Sequence, residues 1–489
     1  MSLQHGRVWS CGRSSRRRSS SPCAFGHSER GSTFVIVLWV AVGLVSLALY
    51  FANSMSFELR AADNRVCGLA AEQAIEGAVR YLTATLANYQ TNGVMPDPAT
   101  YLCEAVPVGQ LNNREEQRSV PHFWLIGRDT NSLTALNQVS FGLVDEASKL
   151  NLNTATSNEL IYLPRMNVDL VEAILDWRDT NGGSGAFQLF YGMHNPPYQN
   201  KGAPFETVAE LKLLYGADLY TLEGEDRNLN GVLDPNETDE DHNGFADPGV
   251  LDCLTVYSRE PSTYSNGVAR VDITSVGANS PLATLLQSTL GQAQADRILG
   301  NLGVSSGGGQ RPPGQGGGGG AQQFTSPLQL FRRSQMTSDE FSLIAKALTT
   351  RGTNYIDGRI NINTANATVL SCLPGLVDYP DLAQTLIQYR QQNPDKLTSI
   401  AWVVEALGSN NASVLDAIEA EDCLTTESYQ FTADIAALGP YGRGYRRIRY
   451  VIDTVDGAPK IVFRQDLTHL GWGLGKEVRQ TWLAAKDTR

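Results

Sequence analysis

The sequence predicts an α+β fold: a long N-terminal helix, a small antiparallel sheet, and a large, mostly α-helical domain inserted into that sheet. Three observations lead to this prediction. Residues 33–52 form an uncharged apolar run of about twenty residues, the length that spans a bilayer as a helix. Strand patterns rich in β-branched and aromatic residues lie on both sides of a long central region. That central region repeats one short pattern about three times, in a degenerate form.

The charge of the chain is unevenly distributed. The 489 residues carry a formal net charge of -12. The first 31 residues hold six Arg and one Glu, so they contribute +5 and leave -17 on the remainder. General nucleic-acid binding requires clustered Lys and Arg that release counterions from the phosphates. The acidic remainder therefore argues against nucleic acid as a partner.

The basic head and the apolar run together predict a membrane anchor. The positive-inside rule places the Arg-rich head in the cytoplasm. A cleaved secretory signal fits less well, because its apolar core is shorter and is followed by a small-residue cleavage site. Here the prominent small residue, Gly31, precedes the apolar run. The helix is therefore expected to stay on the mature protein and to continue as a stalk in water.

The junction between head and helix resembles a type IV prepilin leader. Residues 29–36 read ERGSTFVI. The resemblance implies that a prepilin peptidase cuts between Gly31 and Ser32, with methylation of the product. In this family the fifth mature residue is usually Glu, but here it is Ile36. A carboxylate in lipid is costly unless it is paired, so a subunit with no neighbour ahead of it can dispense with this Glu. The K-class minor pseudopilin of type II secretion typically lacks it.

The central repeat is clearest in two copies. Residues 149–154 read KLNLNT and residues 359–364 read RININT, and each leads into a helix, a Leu-Pro turn, a second helix and an Arg. A weaker copy begins at residues 270–274, RVDIT. We predict that each copy is a short strand followed by two helices across a tight turn. The Asn and Thr side chains of each copy are expected to cap the first helix, and the Pro turn to end it.

These units resemble helix-hairpin-helix (SAM-like) repeats, which can present backbone N–H groups to a DNA phosphate. The alternative is that the hairpins only pack against one another. We favour packing, because the first turn, residues 163–166, contains no glycine and the second contains only Gly375. Lys and Arg do not cluster near either turn.

The order of several motifs extends the family resemblance. Residues 145–153 (DEASKLNLN), 196–198 (PPY) and 204–213 (PFETVAELKL) precede the second hairpin motif. In this order the chain is similar to the general secretion pathway protein K family, from about residue 31 to residue 467. The resemblance implies a minor pseudopilin, not an enzyme, at the tip of the type II secretion pseudopilus, which supports export of folded proteins across the outer membrane. The implied partners are the I-class and J-class minor pseudopilins and the major pseudopilin. The implied location is the inner membrane, with a single span and the C-terminal bulk in the periplasm.

The patterns and the resemblance divide the chain into five segments. They are a basic prepilin-type leader (1–31), a transmembrane and stalk helix (32–86), a pilin-like α/β part (87–147), an inserted helical domain (148–425) and C-terminal strands that complete the sheet (426–489). The insert contains an acidic stretch at 226–250 and a Gly-rich linker at 303–324.

The acidic stretch begins with a predicted calcium loop. Residues 226–237, DRNLNGVLDPNE, place oxygen ligands at loop positions 1, 3, 5, 9 and 12. Gly231 stands at position 6, where the chain must turn sharply, and position 7 offers a backbone carbonyl. The candidate ligands are Asp226, Asn228, Asn230, Val232, Asp234 and Glu237. We predict one Ca²⁺ in this loop.

A second acidic loop follows at once and repeats the opening of the first. Its candidate ligands are Asp239, Asp241, Asn243 and Asp247. Its twelfth position is Val250, so it lacks the bidentate carboxylate and is expected to hold a second Ca²⁺ more weakly. The alternative for both loops is a solvated acidic loop. Because no long helix flanks the pair, the metal is expected to stiffen a loop rather than drive a switch.

The C-terminal part returns to strand patterns. Strands are predicted at residues 429–437, 445–454 and 458–467, in addition to 121–127 and 138–145 upstream. Four arginines of this part are predicted to form an exposed basic face, with a charge-matched contact to an acidic partner as a hypothesis. They are Arg443, Arg446, Arg447 and Arg449.

Cysteine and histidine usage gives no catalytic signal. Five of the seven cysteines follow the leader, and their pairing stays open, with Cys372 and Cys423 as the first candidate pair. No spacing suggests zinc, and none of the six His stands in a nucleophile or metal motif.

Two other functions remain open from the sequence. One is a membrane-anchored DNA receptor for uptake, built on the same hairpins, which salt-dependent binding to duplex DNA would reveal. The other is a pilus-type adhesin with a calcium-dependent fold, which pull-down against sister pseudopilins would separate from a pseudopilin.

Overall fold

The computed structural model describes residues 30–92, 103–109, 119–128, 137–182, 184–264, 267–277, 279–304 and 322–483. Most of the predicted leader, residues 1–29, and most of the predicted Gly-rich linker, residues 305–321, lie outside the described residues. The chain divides into two units, Met1–Asp63 and Asn64–Arg489.

The described helices and strands are numbered in chain order. The α-helices are α1 (Arg30–Asn92), α2 (Ser157–Ile161), α3 (Val168–Arg178), α4 (Gln188–Gly192), α5 (Leu219–Glu223), α6 (Pro281–Leu290), α7 (Gln292–Asn301), α8 (Pro327–Ser334), α9 (Ser338–Ser342), α10 (Ala367–Ser371), α11 (Pro380–Gln392), α12 (Trp402–Leu407), α13 (Ala412–Ala420) and α14 (Gly475–Leu483). The strands are β1 (Val106–Pro107), β2 (His122–Ile126), β3 (Val144–Asp145), β4 (Leu150–Asn151), β5 (Leu254–Thr255), β6 (Arg259–Pro261), β7 (Thr263–Tyr264), β8 (Val268–Ala269), β9 (Val271–Asp272), β10 (Leu348–Thr349), β11 (Tyr355–Asp357), β12 (Ile360–Asn361), β13 (Leu424–Thr425), β14 (Gln430–Gly439), β15 (Arg443–Asp453) and β16 (Lys460–Asp466).

Helix α1 contains the predicted apolar run. An 18-residue window within Thr33–Asn88 has a mean hydropathy of 2.6 and none of it is buried, so the helix is long and apolar enough to cross a membrane. Gly31 and Ser32 lie in its first turn. In the second unit, one face of α1 becomes buried at helical spacing, through Ala71, Ala74, Ala78, Leu82 and Leu86.

The main sheet explains the split strand pattern in the sequence. Its order is β1-β2-β14-β15-β16, all antiparallel, and β3 also pairs with β14. Leu125 of β2 lies opposite Ile435 of β14, although residues 127–429 separate the two strands in sequence. The helical domain is therefore an insertion between adjacent strands. The predicted α+β class, with an apolar N-terminal helix and an antiparallel sheet, is confirmed in outline.

Strand alternation gives this sheet two buried faces. Phe123 and Leu125 pack with the buried face of α1. Trp124 and Ile126 point the other way and pack with Leu474.

The strand predicted at residues 138–145 is largely wrong. Only β3 is a strand there, and Phe141 makes an isolated bridge to Ile126. The reason is a turn at Gly142, whose φ is 150°. The chain passes so close to Gly127 that a Cβ on that residue would lie 2.9 Å from the Gly142 nitrogen.

The inserted domain contains the same arrangement three times. The parallel pairs β4/β5, β9/β10 and β12/β13 each begin and end a unit, and each pair encloses four of the described α-helices. The closing strand reads Leu-Thr in every unit. Sequence analysis missed these closing strands, because two residues are too few to show a period. The helix-hairpin-helix character of the helix pairs stays a prediction.

The first helix of each clear copy is capped by a Thr or Asn side chain, as predicted. Helix α2 is capped by Thr156 and α10 by Asn366, each of which accepts a backbone N–H three residues ahead. The motif residue Asn151 instead accepts the Asn153 N–H at 2.9 Å, and Asn361 accepts the Asn363 N–H at 3.0 Å. These asparagines fix the turn that follows each opening strand.

The arginine that ends each of the two clear copies has a defined role. Arg178 donates to the carbonyls of Leu152 and Ala155, and Arg390 donates to the equivalent carbonyls of Ile362 and Ala365. Each arginine therefore ties the second helix to the turn after the opening strand.

The first hairpin turn places an arginine where the second has a glycine. Arg165 has φ 62° and Gly375 has φ 78°. A non-glycine residue in the left-handed region is strained. The Arg165 side chain offsets this by donating to the Pro248 carbonyl at 2.9 Å and by lying 4.5 Å from the Tyr220 ring centroid.

Two further predictions are corrected. Cys372 and Cys423 are free buried thiols, so the predicted pair does not form. The exposed basic face is wrong for Arg447, which is fully buried, and both Arg447 and Arg449 bind the carboxylate of Asp434 in the same chain. The reason is that β15 is an inner strand beside β14, so the guanidinium groups of Arg447 and Arg449 reach Asp434 on the neighbouring strand.

Candidate metal centre

The first acidic loop is buried although its residues are polar. Asp226, Asn228, Asn230 and Asp234 are 2%, 4%, 1% and 8% exposed. Buried polar groups are stable only when they are paired. The partners of these four side chains therefore decide what the loop can do.

The turn of the first loop is held by its first residue. The two carboxylate oxygens of Asp226 accept the N–H groups of Asn230 at 2.9 Å and Gly231 at 2.6 Å. Gly231 has φ 79° and Leu229 has φ 55°, so the chain turns through two left-handed residues. The buried Val232 donates its N–H to Asn230 Oδ1 at 2.9 Å.

The other predicted ligands converge on the same place. Asp234 Oδ2 accepts the amide groups of Asn228 at 2.7 Å and Asn230 at 2.9 Å. Glu237 accepts the backbone N–H of Asn228 at 3.1 Å and of Asp234 at 3.0 Å. The structure thus brings together all six residues predicted for the first loop.

One oxygen in this loop has no hydrogen-bond partner within the described part of the chain. It is Oδ1 of Asn228, a side chain that is 4% exposed. A buried oxygen without a donor is costly unless something else binds it. Carboxylate and amide oxygens are the ligands that Ca²⁺ takes in proteins, so the donor set fits that ion.

The electrostatics of the loop also leave negative charge to be neutralised. Burial raises the pKa of the Asp226 carboxyl, although the Arg128 guanidinium, 3.7 Å away, opposes the rise. Burial likewise raises the pKa of Glu237. A cation in the loop would favour the ionised form of both groups.

The second loop repeats the backbone conformation of the first on an exposed surface. The Asp239 carboxylate accepts the N–H groups of Asn243 at 3.1 Å and Gly244 at 3.0 Å. His242 has φ 60° and Gly244 has φ 80°, as in the first loop. The Asn243 side chain donates to Asp241 at 2.8 Å and to Asp247 at 3.4 Å. All four residues predicted for the second loop therefore lie together.

Sequence analysis missed a buried carboxylate that packs against the second loop. Glu225 is 3% exposed and accepts the N–H of Glu240 at 2.8 Å and of Asp247 at 3.2 Å. Ligand oxygens of Glu225, Asp241 and Asp247 lie within 4.8 Å of one another. No spacing rule points to Glu225, because it precedes both loops and reaches the second one through the fold.

The first loop also contacts the segments that follow β2 and β16, and it borders a cavity. Asn228 Nδ2 donates to the Trp472 carbonyl at 3.3 Å, and Arg128 joins Asp226 to Asp252. A cavity of about 690 Å³ is lined by Asp234 and Glu237 together with Trp124.

Comparison with known proteins adds little to this description of the two acidic loops. No family model matches the sequence, and no curated protein matches it. Among solved structures, the chain is similar to one in the GspK-GspI-GspJ complex from the type 2 secretion system of enterotoxigenic Escherichia coli. The sequence identity is 10% and the TM-score 0.35, over 81% of this chain and 96% of that one. At so low a TM-score the likeness carries no functional assignment.

Proposed function

We propose that this chain is a K-class minor pseudopilin at the tip of the type II secretion pseudopilus. The observation that carries the proposal is the insertion of the helical domain between β2 and β14. A small sheet with an N-terminal helix on one face matches the pilin-like part implied by the sequence resemblance. The inserted domain adds a bulk that would prevent a further subunit from stacking on top.

The proposed role is structural rather than catalytic. Helix α1 would hold the protein in the inner membrane by a single span, with residues after about 53 in the periplasm. Its partners would be the I-class and J-class minor pseudopilins and the major pseudopilin, and prepilin peptidase would process it at Gly31.

Determination of the N-terminus of the membrane-extracted protein tests the proposed processing. We expect the mature chain to start at Ser32 when it is expressed with a prepilin peptidase, and a Gly31→Leu variant to keep its leader. A parent chain that still starts at Met1 under these conditions would contradict the proposal.

Co-purification tests the proposed partners. The full chain in detergent should retain I-class and J-class minor pseudopilins, and it should bind duplex DNA negligibly at about 0.15 M salt, where exposed phosphate contacts are screened. Tight, salt-dependent DNA binding without pseudopilin binding would favour the DNA receptor instead.

We also propose that both acidic loops bind Ca²⁺. In the first, Asp226, Asn228, Asn230, Val232, Asp234 and Glu237 would hold the ion. In the second, Asp239, Asp241, Asn243 and Asp247 would act together with Glu225. A bound cation would supply the positive charge that the converging carboxylates lack. Calorimetric titration of the full chain should show two Ca²⁺ binding events, which Asp226→Asn and Asp239→Asn should abolish one at a time.

A further inference from the structure

The guanidinium of Arg447 joins the main sheet to the first acidic loop. On one side it binds Asp434 through two hydrogen bonds of 2.8 Å, from Nε and Nη2. On the other side Nη2 donates to the Leu229 carbonyl at 2.7 Å and Nη1 donates to the Asn228 carbonyl. Arg447 is 0% exposed, so water does not compete for these donors. Charge-assisted hydrogen bonds of this kind are the stronger class.

The two carbonyls belong to the part of the loop that needs support. Asn228 carries the buried oxygen without a partner, and Leu229 is the non-glycine residue with φ 55°. A left-handed non-glycine residue persists only when its surroundings hold it. Arg447 holds the peptide groups on both sides of this conformation.

The second loop provides an internal comparison. His242 occupies the position equivalent to Leu229, with φ 60°, but it is exposed and its ring nitrogen contacts the Asp239 carbonyl at 2.9 Å. Within the described residues, the contacts of this loop include no arginine from the sheet. The same backbone conformation therefore occurs once with the arginine and once without it.

We infer that Arg447 is a positioning residue for the first loop: it preorganises the loop to bind a cation and couples cation binding to strand β15. The inference rests on the proposed Ca²⁺ site. Arg447 touches the backbone of a ligand residue and acts through it. Residues that support metal ligands in this way typically contribute about 10- to 100-fold to metal affinity.

The test compares two arginines that share Asp434. Arg447→Lys keeps a positive charge but cannot reach Asp434 and both carbonyls together. Arg449→Lys is the matched control, because Arg449 also binds Asp434, at 2.8 Å, and among the described residues it makes no hydrogen bond or ion pair with the loop. In calorimetric titration of the full chain with CaCl₂, we expect Arg447→Lys to weaken the first binding event about 10-fold or more and to leave the second unchanged. Arg449→Lys should leave both unchanged.

A second variant protects the test if Arg447→Lys does not fold. A Cβ at residue 473 would lie 2.6 Å from Arg447 Nη1. The methyl group added by Gly473→Ala should therefore push the guanidinium away from its present position. It should weaken the first binding event selectively as well. Hydrogen exchange gives an independent readout: in the parent, Ca²⁺ should slow the exchange of β15 amides, and in Gly473→Ala this effect should be lost while the loop is still protected.

The possible results separate the inference from the site on which it depends. A parent chain that binds Ca²⁺ at the first loop, with unchanged affinity in both Arg447→Lys and Gly473→Ala, overturns the inference alone. A parent chain that does not bind Ca²⁺ there overturns the proposed site, and the inference with it.

Discussion

Glu225 accepts the backbone N–H of Asp247 at 3.2 Å, in the same way that Glu237 accepts the backbone N–H of Asp234 at 3.0 Å. Asp247 and Asp234 both occupy position 9 of their loops. Glu225 therefore makes with the second loop the backbone contact that Glu237 makes with the first, where the second loop has Val250 at position 12. This carboxylate comes from a residue that precedes the first loop.

This relationship predicts the effect of Glu225→Gln. The substitution removes a carboxylate from the second loop, so the second Ca²⁺ binding event should weaken by roughly tenfold or more, since ligand charge sets affinity. The first event should not change. Glu206→Gln is the matched control, because the Glu206 side chain is 84% exposed and lies away from both loops. Equal Ca²⁺ affinities in parent and Glu225→Gln, measured by calorimetry, would show that Glu225 is not a ligand.

Removal of Ca²⁺ should destabilise the protein. A ligand at about 100 times its Kd stabilises the folded state by about 2.7 kcal/mol. We expect EGTA to lower the Tm of the parent in a thermal melt, and to have little effect on an Asp226→Asn, Asp239→Asn double variant. An EGTA effect of the same size in the double variant would point to another Ca²⁺ site.

The buried arginine of the last repeat should be important for stability. Arg390 is 3% exposed and donates to the carbonyls of Ile362 at 3.0 Å and Ala365 at 2.7 Å. Arg390→Met leaves buried acceptors unpaired, at about 1–3 kcal/mol each, so we expect a loss of about 3 kcal/mol in the free energy of unfolding. Arg297→Met removes an exposed ion pair with Glu340 and should cost less than about 1 kcal/mol. Similar losses in urea denaturation of the two variants would contradict this role.

Helix α1 packs so closely against the start of β15 that any side chain at residue 444 should destabilise the protein. Gly444 has φ 70°, and a Cβ there would lie 2.4 Å from backbone atoms of Cys67 and Gly68. Gly408 has φ 68° with nothing within 4 Å of the added atom, so Gly408→Ala measures the backbone strain alone. We expect Gly408→Ala to cost about 1 kcal/mol, and Gly444→Ala to cost a further 1–3 kcal/mol, roughly, from overpacking. Equal decreases in Tm for Gly408→Ala and Gly444→Ala would mean that α1 shifts away from residue 444 without a loss of stability.

The Asp434 ion pair should be insensitive to pH near neutrality. Burial alone would raise the pKa of the Asp434 carboxyl, but Arg447 and Arg449 outweigh it and hold that pKa well below its usual range. A carboxyl with a lowered pKa stabilises the fold above its unfolded pKa of about 3.9, and this contribution is lost as the pH falls through the folded value. Asp434→Asn breaks a buried pair and should cost about 3–5 kcal/mol. The difference in unfolding free energy from the parent should be constant from pH 8 to pH 5 and should narrow only below about pH 4. If the difference in unfolding free energy narrowed between pH 8 and pH 5, the lowered pKa of the Asp434 carboxyl would be contradicted.

Local patterns predicted a large part of the fold. Each correctly predicted element consists of contiguous residues with the periodicity or spacing typical of that element. These elements are the apolar run of α1, the strands β2, β14, β15 and β16, and both acidic loops. The six residues that converge in the first loop were predicted one by one, because they follow a fixed spacing within twelve consecutive residues. The residue types of the helix caps were predicted but not their positions, since Thr156 and the motif residue Thr154 are equally suitable by residue type.

The sequence by itself therefore determined the apolar N-terminal helix, the repeated units and the two acidic loops, because each depends on interactions between residues near one another in the chain. Only the tertiary structure decided that Arg447 is buried, that Glu225 packs against the second loop, and that β2 lies beside β14. Each of these depends on a contact between residues far apart in sequence. The energy of such a contact depends on how deeply the two side chains are buried and on which groups they meet, and not on the residues next to them in the chain.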